Sequence, residues 1–299
     1  MKHVVLILIA VIFLLGANSG QVQEQKSAAN SESAKGDKDL PVPPKWPGLS
    51  KAPSVETVLT SKNDSAPFGT AEHAAMARSI LKKDKNAQLC SEELAKAQWE
   101  QDIMLQVWAP AHFDNCTFDK SLNYIKEKLE EVDRLIGLKN TLPKDDALNA
   151  MYLLGQALHG VQDFYAHTDY LELQQKLNPT NFSKVKSIDV WRNDDSMKGV
   201  HALVNEGLVS GRVWWDFPHE CPDSVKTHGE MAKEAGVADS NKPIAGWGNR
   251  TLYTAALDLA RQSSERYILD AFSRWKVLSS ACGNAISFIL MVDNRKAPE

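Results

Sequence analysis

The sequence predicts an all-α fold built as one helical domain. Two observations carry this. Several long stretches repeat apolar residues every three or four positions, the signature of helices with one buried face. No stretch sustains the strict alternation of a half-buried strand. At 43% hydrophobic and 24% charged residues, the 299-residue chain has ordinary globular composition and enough length for one sizeable core. Its formal net charge is −4, without a dense Lys/Arg stripe. That excludes duplex nucleic acid as an expected partner.

The chain begins MKHVVLILIAVIFLLGANSG, a short basic start, an apolar run and a small-residue exit. This reads as a signal peptide over residues 1–20, cleaved after Ser19 or Gly20, and predicts a secreted (extracellular or periplasmic) protein. Residues 21–54, rich in Ser, Lys and Pro, lack apolar periodicity and read as a flexible leader or a pro-segment. The helical domain is expected over residues 55–299. TAEHAAMARSILKK opens with a Thr cap, and SEELAKAQWEQDIMLQVW with Ser and two acids, each suited to a helix N-terminus. TFDKSLNYIKEKLEEVDRLIGL predicts a third helix. KDDALNAMYLLGQALHGVQDFYAHTDYLELQQ predicts the longest and most apolar one, ending near Pro179. Residues from Asn178 to about Pro243 read as irregular. TLYTAALDLARQSSERYILDAFSRW predicts a late helix, followed by a short apolar one near Ala285. Four cysteines, Cys90, Cys116, Cys221 and Cys282, in an exported chain imply disulfides. Of the three pairings they allow, Cys90–Cys116 with Cys221–Cys282 is the expectation.

The longest helix carries His159, Asp163 and His167, each four residues apart and therefore on one face. His159 and His167 are separated by about 12 Å along the axis, too far to share one ion. Asp163 between them could bridge neighbouring ions, which two-metal sites hold about 3.5–4 Å apart. The plainer reading is a hydrogen-bonded polar network within a core. A buried carboxylate without a partner is costly, however, and a metal would remove that cost. Further ligands could come from His73, from His112 and Asp114 in PAHFDNC, and from His228, Glu230 and Glu234 in VKTHGEMAKE. Imidazole with carboxylate suits zinc. No P-loop, dinucleotide fingerprint, HExxH helix or GxSxG elbow is present, so no nucleotide cofactor is expected.

LGQALHGVQDFYAHTDYLEL, preceded by HFDN and followed by THGEMAKE, resembles the HET-C family, whose central motif reads much like LGxxLHxxQDFYxHxxxxEL. The resemblance runs from about His73 to Ile268. HET-C proteins are in turn distantly similar to zinc-dependent phospholipases C and fungal single-strand nucleases, all-α enzymes with a trinuclear zinc cluster. The resemblance implies His73, His112, His159, Asp163, His167 and His228 as metal ligands, with Glu230 as the last carboxylate and Glu100 or Asp102 as an early one. The chain departs from the phospholipase pattern in three places. The His after the bridging Asp follows by four without an intervening Pro. Glu230 lies two rather than four after His228. No N-terminal Trp ligand precedes His73. The third ion is the one these departures touch.

The function expected on this basis is a secreted zinc-dependent phosphodiesterase, a phospholipase C acting on a phospholipid membrane surface with two or three zinc ions. Asp163 would bridge ions and Asp102 or Asp114 would accept a proton. Rival readings are a zinc nuclease and a non-catalytic interaction or toxin module. Trp191, Trp214 and Trp215 could meet lipid headgroups, although ordinary packing is the preferred role for them.

Overall fold

The computed structural model describes residues 70–81, 85–105, 108–213, 219–234 and 237–282. The expected signal peptide, the leader, the short helix near Ala285, and Trp214 and Trp215 lie outside the described residues. Within them the chain forms α1 (Thr70–Ile80), α2 (Lys85–Met104), α3 (Phe118–Ile136), α4 (Lys144–His167), α5 (Tyr170–Leu177), α6 (Asn193–Asn205), α7 (His228–Met231), α8 (Leu252–Arg274) and α9 (Lys276–Ala281). Two short 3-10 turns, Ala109–His112 and Phe182–Lys184, complete them. Three isolated bridges occur and no sheet among the described residues, so the all-α expectation holds.

α4 is the central element, packed by α2, α3 and α8. Every residue from Ala157 to His167 is buried. A helix buried all round has no wet side on which to place polar groups. Leu154, Leu158, Val161 and Phe164 meet Leu94, Ile125, Leu259 and Ile268 in one core. Each such side chain, fully buried, contributes about 1.5–3 kcal/mol. α2 and α4 run in the same direction where they touch. A Cβ at Gly155 would lie 2.6 Å from both the Ala97 Cβ and the Leu94 carbonyl oxygen. Only glycine permits that approach, and one turn further on it brings Asp102 to His159.

Several boundaries differ from expectation. α2 begins at Lys85, so Ser91 is internal; its hydroxyl donates to the Gln88 carbonyl instead of capping. The single long helix expected to run to Pro179 breaks at Thr168, which is extended (φ −104°, ψ 162°). Thr168 pairs with Ser210, Asp169 N–H donates to the Val209 carbonyl, and Val209 N–H returns to the Asp169 carboxylate. These bonds to a distant segment replace the helical ones. The stretch read as irregular contains α6. The disulfides are Cys90–Cys282 and Cys116–Cys221, not the expected pairs. Packing of α2 beside the end of α9, and of the Cys116 loop beside Cys221, sets which sulfurs meet. Trp191 is buried, donates its indole N–H to Asp270 and stacks edge-on against Tyr267, a packing role.

Candidate metal centre

Five histidines and three aspartates from five segments gather around one centre, with Asp163 in its middle. α1 supplies His73 and α2 supplies Asp102. The 3-10 turn and the loop after it supply His112 and Asp114. α4 supplies His159, Asp163 and His167, and α7 supplies His228. They form three groups with ligand atoms within 4.8 Å of one another: His73, His159 and Asp163; Asp102, His112 and His159; Asp114, His167 and His228.

The tightest set surrounds one Asp163 oxygen. Asp163 Oδ2 lies 2.9 Å from His159 Nε2 and 3.0 Å from His112 Nδ1. Those two nitrogens are 3.1 Å apart. Asp102 Oδ1 is 3.2 Å from His159 Nε2 and 4.0 Å from His112 Nδ1. A tetrahedron with Zn–N bonds of about 2.05 Å has edges of about 3.3 Å, and the four atoms approach that size. On the other side, Asp163 Oδ1 is 3.0 Å from His73 Nε2 and 3.9 Å from His167 Nε2.

Outward hydrogen bonds fix which nitrogens face inward. His112 Nε2–H donates to the Leu105 carbonyl at 3.2 Å, and His167 Nδ1–H donates to the His112 carbonyl at 2.8 Å. A carbonyl only accepts, so each ring carries its proton on that side and turns the other nitrogen's lone pair toward Asp163. Lone pairs and carboxylate oxygens therefore face one another. Asp163 Oδ1 and Asp102 Oδ2 are buried and accept no hydrogen bond; the outer Nδ1 of His159 also lacks a partner. Such unsatisfied acceptors are costly without a cation among them. The donor set, imidazole with carboxylate, fits zinc.

Without a metal, protons must serve instead. Burial opposes charge on His159, yet Asp163 and Asp102 outweigh it and raise its pKa to about 10. Burial likewise opposes Asp102, and His159 leads the groups that hold it at about 2. Asp163 is held well below the usual carboxylate range, its burial overcome by His159, His167 and His73. Burial pushes His167 down to about 4. His228 is opposed by burial and raised to about 9 by Asp114.

The Asp114 group is built by strain and tethers. Phe113, Asn115 and Cys116 all have positive φ, near 56–58°, which costs a non-glycine residue roughly 1–2 kcal/mol. Asn115 N–H donates to the Gly211 carbonyl, its side-chain oxygen accepts from Val213 N–H, and Cys116 N–H donates to Ser210 Oγ. The Cys116–Cys221 disulfide closes the same loop. Gly211 joins the two histidines: its N–H donates to the His167 carbonyl, and a Cβ there would lie 2.5 Å from the His228 Cα. His228 Nδ1 is then 3.0 Å from both Asp114 oxygens.

Two expectations are corrected. Glu230 is no ligand: its carboxylate accepts from Thr227 N–H and Oγ1, completing a capping box on α7, and it is exposed. Of the alternatives Glu100 and Asp102, Asp102 joins the centre, whereas Glu100 accepts from the Tyr152 hydroxyl. Asp102, held at about 2, stands with His112 and His159 in one of the groups that could hold a metal, and at that pKa it is a poor proton acceptor. Glu234, offered by the sequence as a further ligand, is in none of the three groups. It is half-buried, raised by that burial, and coupled to His228, Asp163, Glu72 and Asp102. α7 ends at Met231, so no helical spacing from His228 could have marked it.

Residues 71–189 match the family model of the VWA7 N-terminal domain. That span carries every member of the three groups except His228, but fewer than half of the 299 residues. It overturns the resemblance to HET-C, and the onward likeness to phospholipases C and fungal nucleases, which rested on it, goes too. No curated protein matches the chain. No solved structure matches it either. Over residues 71–189 the chain is similar to the VWA7 N-terminal domain.

Proposed function

We propose that this chain is an exported zinc-dependent phosphodiesterase acting on phospholipid. The observation that carries the reading is the gathering of three His/Asp groups around Asp163, buried, with lone pairs turned inward and carboxylate oxygens left without hydrogen bonds. A metal here would supply an activated water and charge to hold phosphate oxygens. Asp163, with an oxygen toward each side, joins the His159 and His73 groups. Asp102, His112, His159, His73, His167, Asp114 and His228 hold the remaining positions. Glu234, raised by burial and coupled to His228 and Asp163, is the carboxylate assigned to take a proton.

Exposed Met104 and Trp108 lie between Asp102 and His112 in the chain. They offer an apolar contact beside the charged centre, which suits a substrate with a phosphate and a hydrocarbon body. Two disulfides suit an oxidising compartment.

The test is elemental analysis of untagged full chain, followed by release of phosphorylated headgroup from phosphatidylcholine and phosphatidylglycerol vesicles. Two or three zinc ions, with headgroup release lost in Asp163→Asn while helix content persists, is the expected result. Zinc without turnover would reduce the centre to a structural one. A stable chain that takes up no zinc would overturn the reading.

A further inference from the structure

Whereas the outer nitrogens of His112 and His167 donate to main-chain carbonyls, His73 has its outer nitrogen on a side chain. Its Nδ1 lies 2.5 Å from Gln162 Oε1. The Gln162 amide nitrogen donates to Ser264 Oγ at 2.9 Å, and Ser264 Oγ–H donates to the Ala260 carbonyl at 2.7 Å. All four residues are at most 1% exposed. The direction of this chain is forced. The Ala260 carbonyl can only accept, so the single Ser264 proton points to it. Ser264 Oγ must then accept from Gln162, which fixes the amide with its oxygen toward His73. His73 Nδ1 therefore carries the proton, and Nε2 presents its lone pair 3.0 Å from Asp163 Oδ1.

We propose that Gln162 and Ser264 are positioning residues that set the tautomer and ring angle of His73, making it a metal ligand through Nε2. The relay runs from α8 through α4 to α1, so His73 is aimed by two helices other than its own. A neutral amide serves here because Asp163 is the adjacent residue, and a carboxylate at 162 would bring a second negative charge into the core. The assignment rests on the metal-centre reading above, and outer-shell partners of ligating histidines typically govern metal affinity.

The experiment is cobalt(II) titration of metal-free full chain, read by visible absorption and equilibrium dialysis. His73→Ala defines the cobalt equivalent that depends on this ring. Gln162→Met is expected to weaken that equivalent about 10- to 100-fold, and Ser264→Ala to weaken it less, in the same direction. Wild-type cobalt affinity in Gln162→Met or Ser264→Ala, with the equivalent lost in His73→Ala, overturns the relay and leaves the centre standing. Wild-type chain that binds no cobalt overturns both. Should Gln162→Met fail to fold, the ring nitrogen-15 shifts of His73 in zinc-loaded wild type decide: a proton on Nδ1 supports the relay, and one on Nε2 overturns it.

Discussion

Zinc binding at neutral pH should expel about two protons. In the metal-free chain His159 sits at about 10, where Asp163 and Asp102 prevail over burial, and His228 at about 9, where Asp114 does. Both rings are therefore imidazolium at pH 7. A metal takes an imidazole nitrogen only after its proton leaves. Each released proton changes apparent affinity tenfold per pH unit, about 1.4 kcal/mol. Two protons give about 100-fold per unit, or about 2.7 kcal/mol, with affinity rising as pH rises toward 9. His228 is 30% exposed, so solvent screens its share, while His159 is fully buried. Titration calorimetry at pH 7 in three buffers of different ionisation enthalpy reads the number directly as a slope. A slope near two is expected. A slope below one would mean that His159 is neutral without metal, and the ion-pair account of the cluster would be wrong.

The metal-free chain should be most stable near pH 6.5. His159 is raised from 6.5 to about 10, so its contribution is complete below 6.5 and is lost as pH rises through about 10. His167 is lowered from 6.5 to about 4, so stability falls as pH drops across that window, because the unfolded chain takes up a proton the folded chain refuses. Denaturant unfolding with chelator at pH 4.5, 6.5 and 8.5 checks both limbs. Gly155→Val would press a side chain onto Ala97 and the Leu94 carbonyl; thermal unfolding should show a loss of about 1–3 kcal/mol or more, with weaker cobalt binding at the Asp102 group. Cys116→Ser with Cys221→Ser should cost about 2–4 kcal/mol and lower metal content by the Asp114–His228 position alone. Glu230→Ala should leave metal content unchanged, since its carboxylate caps α7.

Much of the centre was legible in the chain. His159, Asp163 and His167 declare themselves because a four-residue spacing puts them on one helix face whatever surrounds the helix. The all-α class follows from periodicities equally local. The break at Thr168 was not legible, because the bonds that end α4 come from Val209 and Ser210, some forty residues away. Glu230 and Glu234 both follow His228 closely, and only the course of the backbone puts one in a capping box and leaves the other half-buried and coupled to His228. The disulfide partners are likewise a matter of which elements pack together. The sequence by itself determined the helices and the histidine and aspartate of the shared α4 face, since both depend on neighbours within a turn or two. Only the tertiary structure decided which of these side chains meet, which nitrogen His73, His112 and His167 turn inward, and which cysteines join, because distance between side chains and the direction of a buried hydrogen bond are set by packing between elements far apart in the chain.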